Sequence, residues 1–407
     1  MIVVLADDLT GATELGGVAW RYGLTAEIHT QDATGQLSAN AAAAKTGQSD
    51  EGVQPAIPGV LALDTDTRGY AGDDAARRVA RACASLPAHT WLFKKIDSVL
   101  RGPVLAELEA ALACLGRRRA LVVSANPELG RTVRGGRYFV DEQPIHQTDF
   151  SNDPQYPRRS SCVLEMLGLD QRSEAVRLCR PDQPLPERGI VVGDASCTED
   201  LLAWAGRVDE TVLPVGGAEF FAAILGIRGG RVIPHERAPV DFGRRLFVCG
   251  SLAARALDFL VECRQRGWPV ISLPAAPSPA AVESREVALD WARNVMEALK
   301  ENSQAVMAIG RPLVQDAAAS RQLGECLIAA AGIVIKQGPI GRIYVEGGAT
   351  AVALVRALGW GRLRVIRELA PGIVTLEPTG GPGLRLTSKP GSYAWPPAVR
   401  SQTCMPG

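Results

Sequence analysis

Short apolar runs that end in a charged or glycine-bearing turn, each followed by an amphipathic stretch, recur along the chain and constrain the fold more than any other feature. Ile2–Ala6 runs into Asp7-Asp8, and Gly11–Tyr22 then has helical periodicity and stops at Gly23. Val60–Leu63, Trp91–Lys94 and Ala120–Ser124 read as further strands, with helices over Asp73–Leu86 and Pro103–Leu112. The pattern restarts at Arg245–Cys249 and runs through Val270–Leu273, Ala305–Ile309 and Arg342–Val345, with helices between and a last helix, Thr350–Leu358, closed by Gly359. Strands buried on both faces and joined by helices are the signature of a parallel sheet covered on both sides. The expected fold is α/β: two lobes, each a mostly parallel sheet flanked by helices, with a ligand cleft between them.

The stretch Gly226–Gly243 has Gly, Pro, Arg and His without a period and reads as a linker, giving domains 1–228 and 244–407. Gln31–Gly59, rich in Ala, Gly, Gln and Ser, reads as a surface insertion. Asn126 to about Pro157 reads as an irregular polar loop, and the last part of the chain as more β-like.

Lys plus Arg and Asp plus Glu both number 44, so no global field draws the chain to nucleic acid or to an anionic membrane. Anionic ligands must be held locally. No apolar run reaches membrane-spanning length, a strand from Ile2 leaves no charged leader, and the nine cysteines are scattered without a CxxC pair. These features predict a cytoplasmic protein without a disulfide framework or structural zinc. No metal-ligand set is assigned.

In open α/β sheets, ligands gather at the carboxyl ends of the strands. Four strand ends carry polar residues that packing does not require. The first is ADDLTGA (Ala6–Ala12), where one acid or Thr10 could cap the helix; a single cap does not need both acids, so the second is free to hold a hydroxyl, take a proton or bind a magnesium water. The second is DTDTR (Asp64–Arg68): the planar fork of Arg68 suits a carboxylate, although Asp66 could also pair with it in a local turn. The third is KKIDSVLRG (Lys94–Gly102), which gathers Lys94, Lys95, Asp97, Ser98 and Arg101 before a helix in a chain with only six lysines. As plain structure, Asp97 or Ser98 would cap that helix. The fourth is EGGAT (Glu346–Thr350), where two glycines open a helix start to phosphate. Cys249-Gly250-Ser251 is a weaker relative of it. The chain has neither a Walker A motif nor a GxGxxG after its first strand, which disfavours P-loop enzymes and dinucleotide dehydrogenases.

These motifs, in this order, resemble the four-carbon acid sugar kinase family, whose members act on threonate, erythronate and 3-oxo-tetronate. ADDLTGA, DTDTR, KKIDSVLRG and Gly130–Pro154 resemble its sugar-acid-binding domain; CGSLAARA (Cys249–Ala256), EGGATAVALVRALG (Glu346–Gly359) and Ser388–Tyr393 resemble its nucleotide-binding domain. The resemblance implies an ATP- and Mg²⁺-dependent kinase of carbohydrate metabolism. It implies sugar-acid contacts from Asp8 (or its neighbour Asp7), Arg68, Lys95, Ile96, Asp97 and Ser98, and the charges of the third motif add Lys94 and Arg101 as substrate-binding candidates. It implies nucleotide contacts from Ser251, Gly347, Gly348, Ala349, Thr350 and Gly391. This chain departs from the family at Glu346, where Thr is frequent, at Ala349, where an acidic or polar residue is usual, and at Lys389-Pro390-Gly391-Ser392-Tyr393.

The mechanism expected on this basis has Arg68 and a lysine of the Lys94/Lys95 pair gripping the substrate carboxylate, with Asp8 and Ser98 reading hydroxyls. Either Asp8 or Asp97 orients the attacking hydroxyl, and Arg131 and Arg134 bridge phosphate. The partners expected are a small sugar acid and ATP, without nucleic acid or membrane; a homodimer is left open. The alternatives from other classes are a non-catalytic sugar-acid-binding protein and a hydroxy-acid dehydrogenase.

Overall fold

The computed structural model describes residues 1–30, 59–87, 90–153, 156–170, 175–233, 243–250, 254–273, 285–310, 317–380, 383–391 and 393–400. The Gln31–Gly59 insertion therefore lies outside the described residues except for Gly59, and Ser251 lies outside them too. The chain divides into two compact units, Met1–Pro234 and His235–Gly407.

The first unit is a parallel sheet of eight strands: β1 (Ile2–Ala6), β2 (Ala26–His29), β3 (Val60–Asp64), β4 (Trp91–Lys95), β5 (Arg119–Val123), β9 (Val176–Cys179), β10 (Gly189–Gly193) and β11 (Val212–Gly216). Their order is β2-β3-β1-β4-β11-β5-β10-β9, every neighbouring pair parallel. The helices α1 (Leu9–Arg21), α2 (Gly72–Ala84), α3 (Val104–Leu115), α4 (Val163–Met166), α5 (Thr198–Ala205) and α6 (Ala218–Ile227) make the crossovers and cover the faces. The apolar runs of the sequence are the buried centres of these strands: Val3, Val4, Leu5, Leu61, Ala62, Leu63, Leu92 and Phe93 are all nearly inaccessible to solvent.

After β1 the chain moves to a strand two places to one side in the sheet, and after β4 to a strand two places to the other. The adjacent ends of β1 and β4 therefore flank a topological switch point, where loops diverge and leave room for a ligand. Asp7-Asp8 follows one of these ends, and Ile96 to Arg101 the other.

Between β5 and β9, the region expected to be irregular folds into an antiparallel three-stranded sheet of β6 (Arg131–Arg134), β7 (Arg137–Val140) and β8 (Gln143–Pro144). Gly135 and Gly136, both with positive φ, make the two-residue turn of its first hairpin. Tyr138 and Val133 tie this small sheet to the main core.

The second unit holds β12 (Arg244–Cys249), β13 (Val270–Ser272), β14 (Gln304–Ala308), β15 (Ile340–Glu346), β16 (Arg362–Ala370), β17 (Ile373–Pro378) and β18 (Arg385–Lys389), in the order β13-β14-β12-β15-β18-β17-β16. The first five in that order pair in parallel; β17 and β16 join antiparallel, in keeping with the β-like end of the sequence. Its helices are α7 (Ala254–Gln265), α8 (Arg285–Glu301), α9 (Ala317–Gln337), α10 (Gly348–Ala357) and α11 (Pro397–Arg400). Residues Ala318–Gln337 of α9 are long and apolar enough to pass a membrane-span test on length and composition, but α9 packs against α8 and α10.

The adjacent lysines of β4 point to opposite sheet faces, as strand pleating requires. Lys94 is wholly buried and meets Glu107 of α3 at 2.6 Å, while Lys95 meets Glu14 of α1 at 3.3 Å. A buried pair is costly to break from one side, because the survivor keeps its charge without a partner. Lys94→Met is therefore expected to cost about 3–5 kcal/mol, and Lys94→Met with Glu107→Leu to recover most of it, in urea unfolding at neutral pH.

Candidate active site

The site grows from the end of β1. Asp8 has extended backbone and caps α1, its Oδ1 accepting the Gly11 amide at 2.7 Å. A Cβ on Gly11 would lie 2.9 Å from that oxygen and 3.1 Å from Lys95 Cγ, so only glycine lets α1 start against both. The capping role does not exhaust Asp8. Its Oδ2 accepts from Arg68 Nη1 at 2.5 Å, and its side chain remains 19% exposed.

Arg68 enters from the turn after β3. Its Nε and Nη2 donate to the two oxygens of Asp7 at 2.8 and 3.1 Å, and its Nη1 lies 3.8 Å from Asp97 Oδ1. The alternative pairing with Asp66 is not among these contacts of Arg68. Nor is its fork open to a substrate carboxylate, because Asp7 fills it. Asp66, with φ +49°, makes the tight turn that sends Arg68 back over β1, and its amide bonds Asp64 Oδ1. Such a conformation costs a non-glycine residue about 1–3 kcal/mol and persists where the surroundings enforce it.

Asp97, after β4, is saturated. Its Oδ2 accepts the Val99 and Arg101 amides, both at 3.1 Å, and Arg101 Nε at 3.0 Å; its Oδ1 accepts Arg101 Nη2 at 2.8 Å. Arg101 Nη1 reaches on to Asp153 Oδ2 at 2.9 Å. The loop bends at Leu100, again with positive φ (+63°). Ser98 shows its hydroxyl to Arg131 of β6, which donates to it at 2.7 Å, while the Tyr138 hydroxyl donates to Ser98 O at 2.8 Å.

Burial and these partners pull the carboxyl groups apart. Burial raises Asp7, but Arg68, Lys94 and Lys95 together outweigh it and hold the acid below its ordinary range. Asp8 goes the other way: burial and the neighbouring Asp7 charge exceed the help from Arg68 and Lys95, so it keeps its proton to higher pH. Asp97 is also pushed up by burial, yet Arg68 and Arg101 drive it well below the carboxylate range. Lys95 is held protonated, with Glu14, Asp7 and Asp8 overcoming its desolvation. Among the described residues no group of three or more His, Cys, Asp or Glu is placed to hold a metal ion.

The structure thus brings together Asp7, Asp8, Arg68, Lys95, Asp97, Ser98 and Arg101. Lys94 borders Asp7, although its ammonium is paired with Glu107, and the Ile96 side chain is core. Of the two loop arginines, Arg131 joins the site, whereas Arg134 pairs with Glu142 at 2.8 Å on the exposed end of its hairpin. Three contributors were missed from sequence: Glu14, Asp153, and Tyr156, whose hydroxyl donates to Arg68 O. The last two lie in or beside the polar loop already singled out, but nothing local marks their targets.

In the second unit, the parallel ends of β12, β15 and β18 lie side by side, bringing Cys249 and Lys389 to either side of Glu346. Gly347 follows Glu346 directly, and Gly348, Ala349 and Thr350 form the first turn of α10 with their side of the helix accessible. The unpaired amides and dipole of that helix start attract an anion. Gly391 follows β18 at the same edge, so the pieces read as nucleotide-binding converge there, Ser251 excepted.

Comparison with known proteins agrees with this division. Residues 2–224 match the family model of a sugar-binding N-terminal domain, and residues 246–393 that of a nucleotide-binding C-terminal domain. The chain is similar to the D-threonate kinase of Salmonella typhimurium, with 28% identity covering 91% of this chain and 90% of that protein. It is similar as well to the D-erythronate kinase of Heliobacterium modesticaldum, with 28% identity over 91% and 88% of the respective chains. In fold it resembles the crystal structure of Haemophilus influenzae protein HI1011, with a TM-score of 0.67, 17% identity and 96% of each chain covered.

A carboxylate held below its unfolded pKa stabilises the fold above that pKa, and the stabilisation is lost as pH falls toward the folded value. Arg101→Met removes the main partner of Asp97. It is expected to cost about 2–3 kcal/mol at pH 7 and to move the acid-unfolding midpoint upward, as followed by circular dichroism.

Proposed function

Because the chain belongs to the four-carbon acid sugar kinase family, an ATP-dependent phosphotransferase class, we propose that it phosphorylates a four-carbon sugar acid such as threonate or erythronate with Asp8 as the base that orients the attacking hydroxyl. The observation that carries this assignment is the contrast between the two acids. Asp97 spends both oxygens on four donors and is held ionised, so it has little proton affinity to offer. Asp8 keeps exposed surface and a raised pKa, the properties a general base near neutral pH requires. Asp97 then acts by holding Arg101 and Arg68.

With the fork of Arg68 taken by Asp7, the substrate carboxylate is assigned to Arg131 and the Ser98 hydroxyl, which already form a hydrogen-bonded pair at the rim. Lys95, anchored on Ile96 O at 2.9 Å and on Glu14, supplies a fixed positive charge beside Asp8. Arg68, in contact with Asp8, keeps that carboxyl turned toward its hydroxyl target.

The nucleotide is assigned to the C-terminal domain, with its phosphates at Gly347–Thr350 and beside Gly391. Mg²⁺ is assigned to the nucleotide phosphates rather than to a protein cage, since no group of three or more His, Cys, Asp or Glu among the described residues is placed to hold a metal ion. The ion, when bound, neutralises charge on the transferred phosphoryl group. A cytoplasmic location is supported by eight described cysteines that are all free.

The test is ADP release with Mg·ATP across D- and L-threonate, D- and L-erythronate and 3-oxo-tetronates. One acid should support turnover. Asp8→Asn should then lower kcat at least a hundredfold with the fold intact, and Arg131→Ala should raise KM for the acid about tenfold with ATP affinity unchanged, the scale of a lost charged hydrogen bond. Full activity in Asp8→Asn would refute the assignment of the base.

A further inference from the structure

In the second unit, Glu346 and Lys389 form a buried ion pair at the root of the phosphate-binding turn: Lys389 Nζ lies 2.8 Å from Glu346 Oε1, with the two side chains 2% and 0% exposed. They end the neighbouring parallel strands β18 and β15 in register, and Glu346 is followed at once by Gly347. The Gly347 amide donates to Lys389 O at 3.0 Å, and Lys389 Nζ also reaches Pro390 O at 3.4 Å. The pair therefore ties the Gly347–Thr350 turn to the Lys389–Gly391 segment, the two pieces assigned to the nucleotide phosphates. Its outer side is closed by Trp395, whose ring centroid is 5.4 Å from Lys389 Nζ and which packs with Tyr344, Phe247 and Phe259.

A carboxylate is an unexpected group at this place. The helix start above it attracts anions, and a fixed negative charge one residue away opposes them, undamped by water because the group is buried. Lys389 is the compensating charge. On the reading of this domain as a nucleotide site, we infer that Glu346 and Lys389 are positioning residues for the nucleotide phosphates. They fix the turn's geometry, and each screens the other's charge so that phosphate affinity depends on their balance. Neither touches the nucleotide.

This makes a prediction that a purely structural pair would not. Removing either partner from a structural pair would weaken nucleotide binding in the same direction, by loosening the turn. Removing one charge from a balanced pair beneath phosphates shifts affinity with opposite signs. ADP binding to the full chain is measured by calorimetry at pH 7, alongside thermal unfolding. Lys389→Met, which leaves the carboxylate unscreened, should weaken ADP at least tenfold. Glu346→Gln, which keeps the shape and unmasks the ammonium, should hold or tighten it, by up to about threefold. Lys389→Met with Glu346→Gln should return to within about threefold of wild type, even if its melting temperature stays low. Unchanged affinity in a folded Lys389→Met, weakening in both single variants, or no recovery in the double variant would each overturn the inference. If Lys389→Met does not fold, Glu346→Gln alone decides: held or tightened ADP binding supports the inference, and weakened binding overturns it. Failure of the wild-type chain to bind ADP would instead remove the nucleotide reading, and the inference with it.

Discussion

Arg68 holds two acids from one strand end and faces a third from the next. Its planar fork grips Asp7 through Nε and Nη2, which leaves Nη1 for Asp8 and brings it near Asp97. Three carboxylates this close to one another could not remain ionised in a buried site without such a charge. Asp7 and Asp97, with further cations beside them, stay low; Asp8, with the weakest compensation and the most exposure, goes up. One guanidinium thereby divides the acids into two held as anions and one that keeps its proton to higher pH.

The rest of the unit is arranged to make that possible. The parallel order places the ends of β1 and β4 next to each other at the switch point, and β3 beside β1 delivers Arg68 from a strained turn. Pleating sends Lys94 to Glu107 and the side of Asp7, and Lys95 to the side of Asp8 and Glu14. The small antiparallel sheet brings Arg131 to Ser98 from more than thirty residues away. In the second unit parallel strand ends again lie beneath a helix start, the site proposed for the nucleotide phosphates, with Glu346 and Lys389 as an internal pair of charges.

Much of this was legible in the sequence, because strand ends that carry polar residues without a packing reason are conspicuous. ADDLTGA, DTDTR and KKIDSVLRG do converge, and the α/β class follows from the alternation alone. What could not be read was the partner of each charge. Lys94 and Lys95 look equivalent in the chain, and only the helix lying on each face, α3 or α1, separates them. Arg68 looks like a clamp for a ligand carboxylate until Asp7 is found in its fork. The choice between Asp8 and Asp97 turns on Arg101 folding back four residues and on the Val99 amide, contacts without a periodic signature. The hairpin of β6 and β7 did have one, Gly135-Gly136 between two β-prone stretches, in a region read as irregular.

The central claim is that one charge network separates the pKa values of Asp8 and Asp97, and carboxyl carbon chemical shifts followed by NMR through a pH titration test it most directly, with Asp8→Asn and Asp97→Asn giving the assignments. Asp8 should titrate above the ordinary aspartate value of about 3.9, while Asp97 should remain ionised to the lowest pH at which the protein stays folded. An Asp97 that titrates at or above Asp8 would contradict the account, because the acid with four donors would then be the better base.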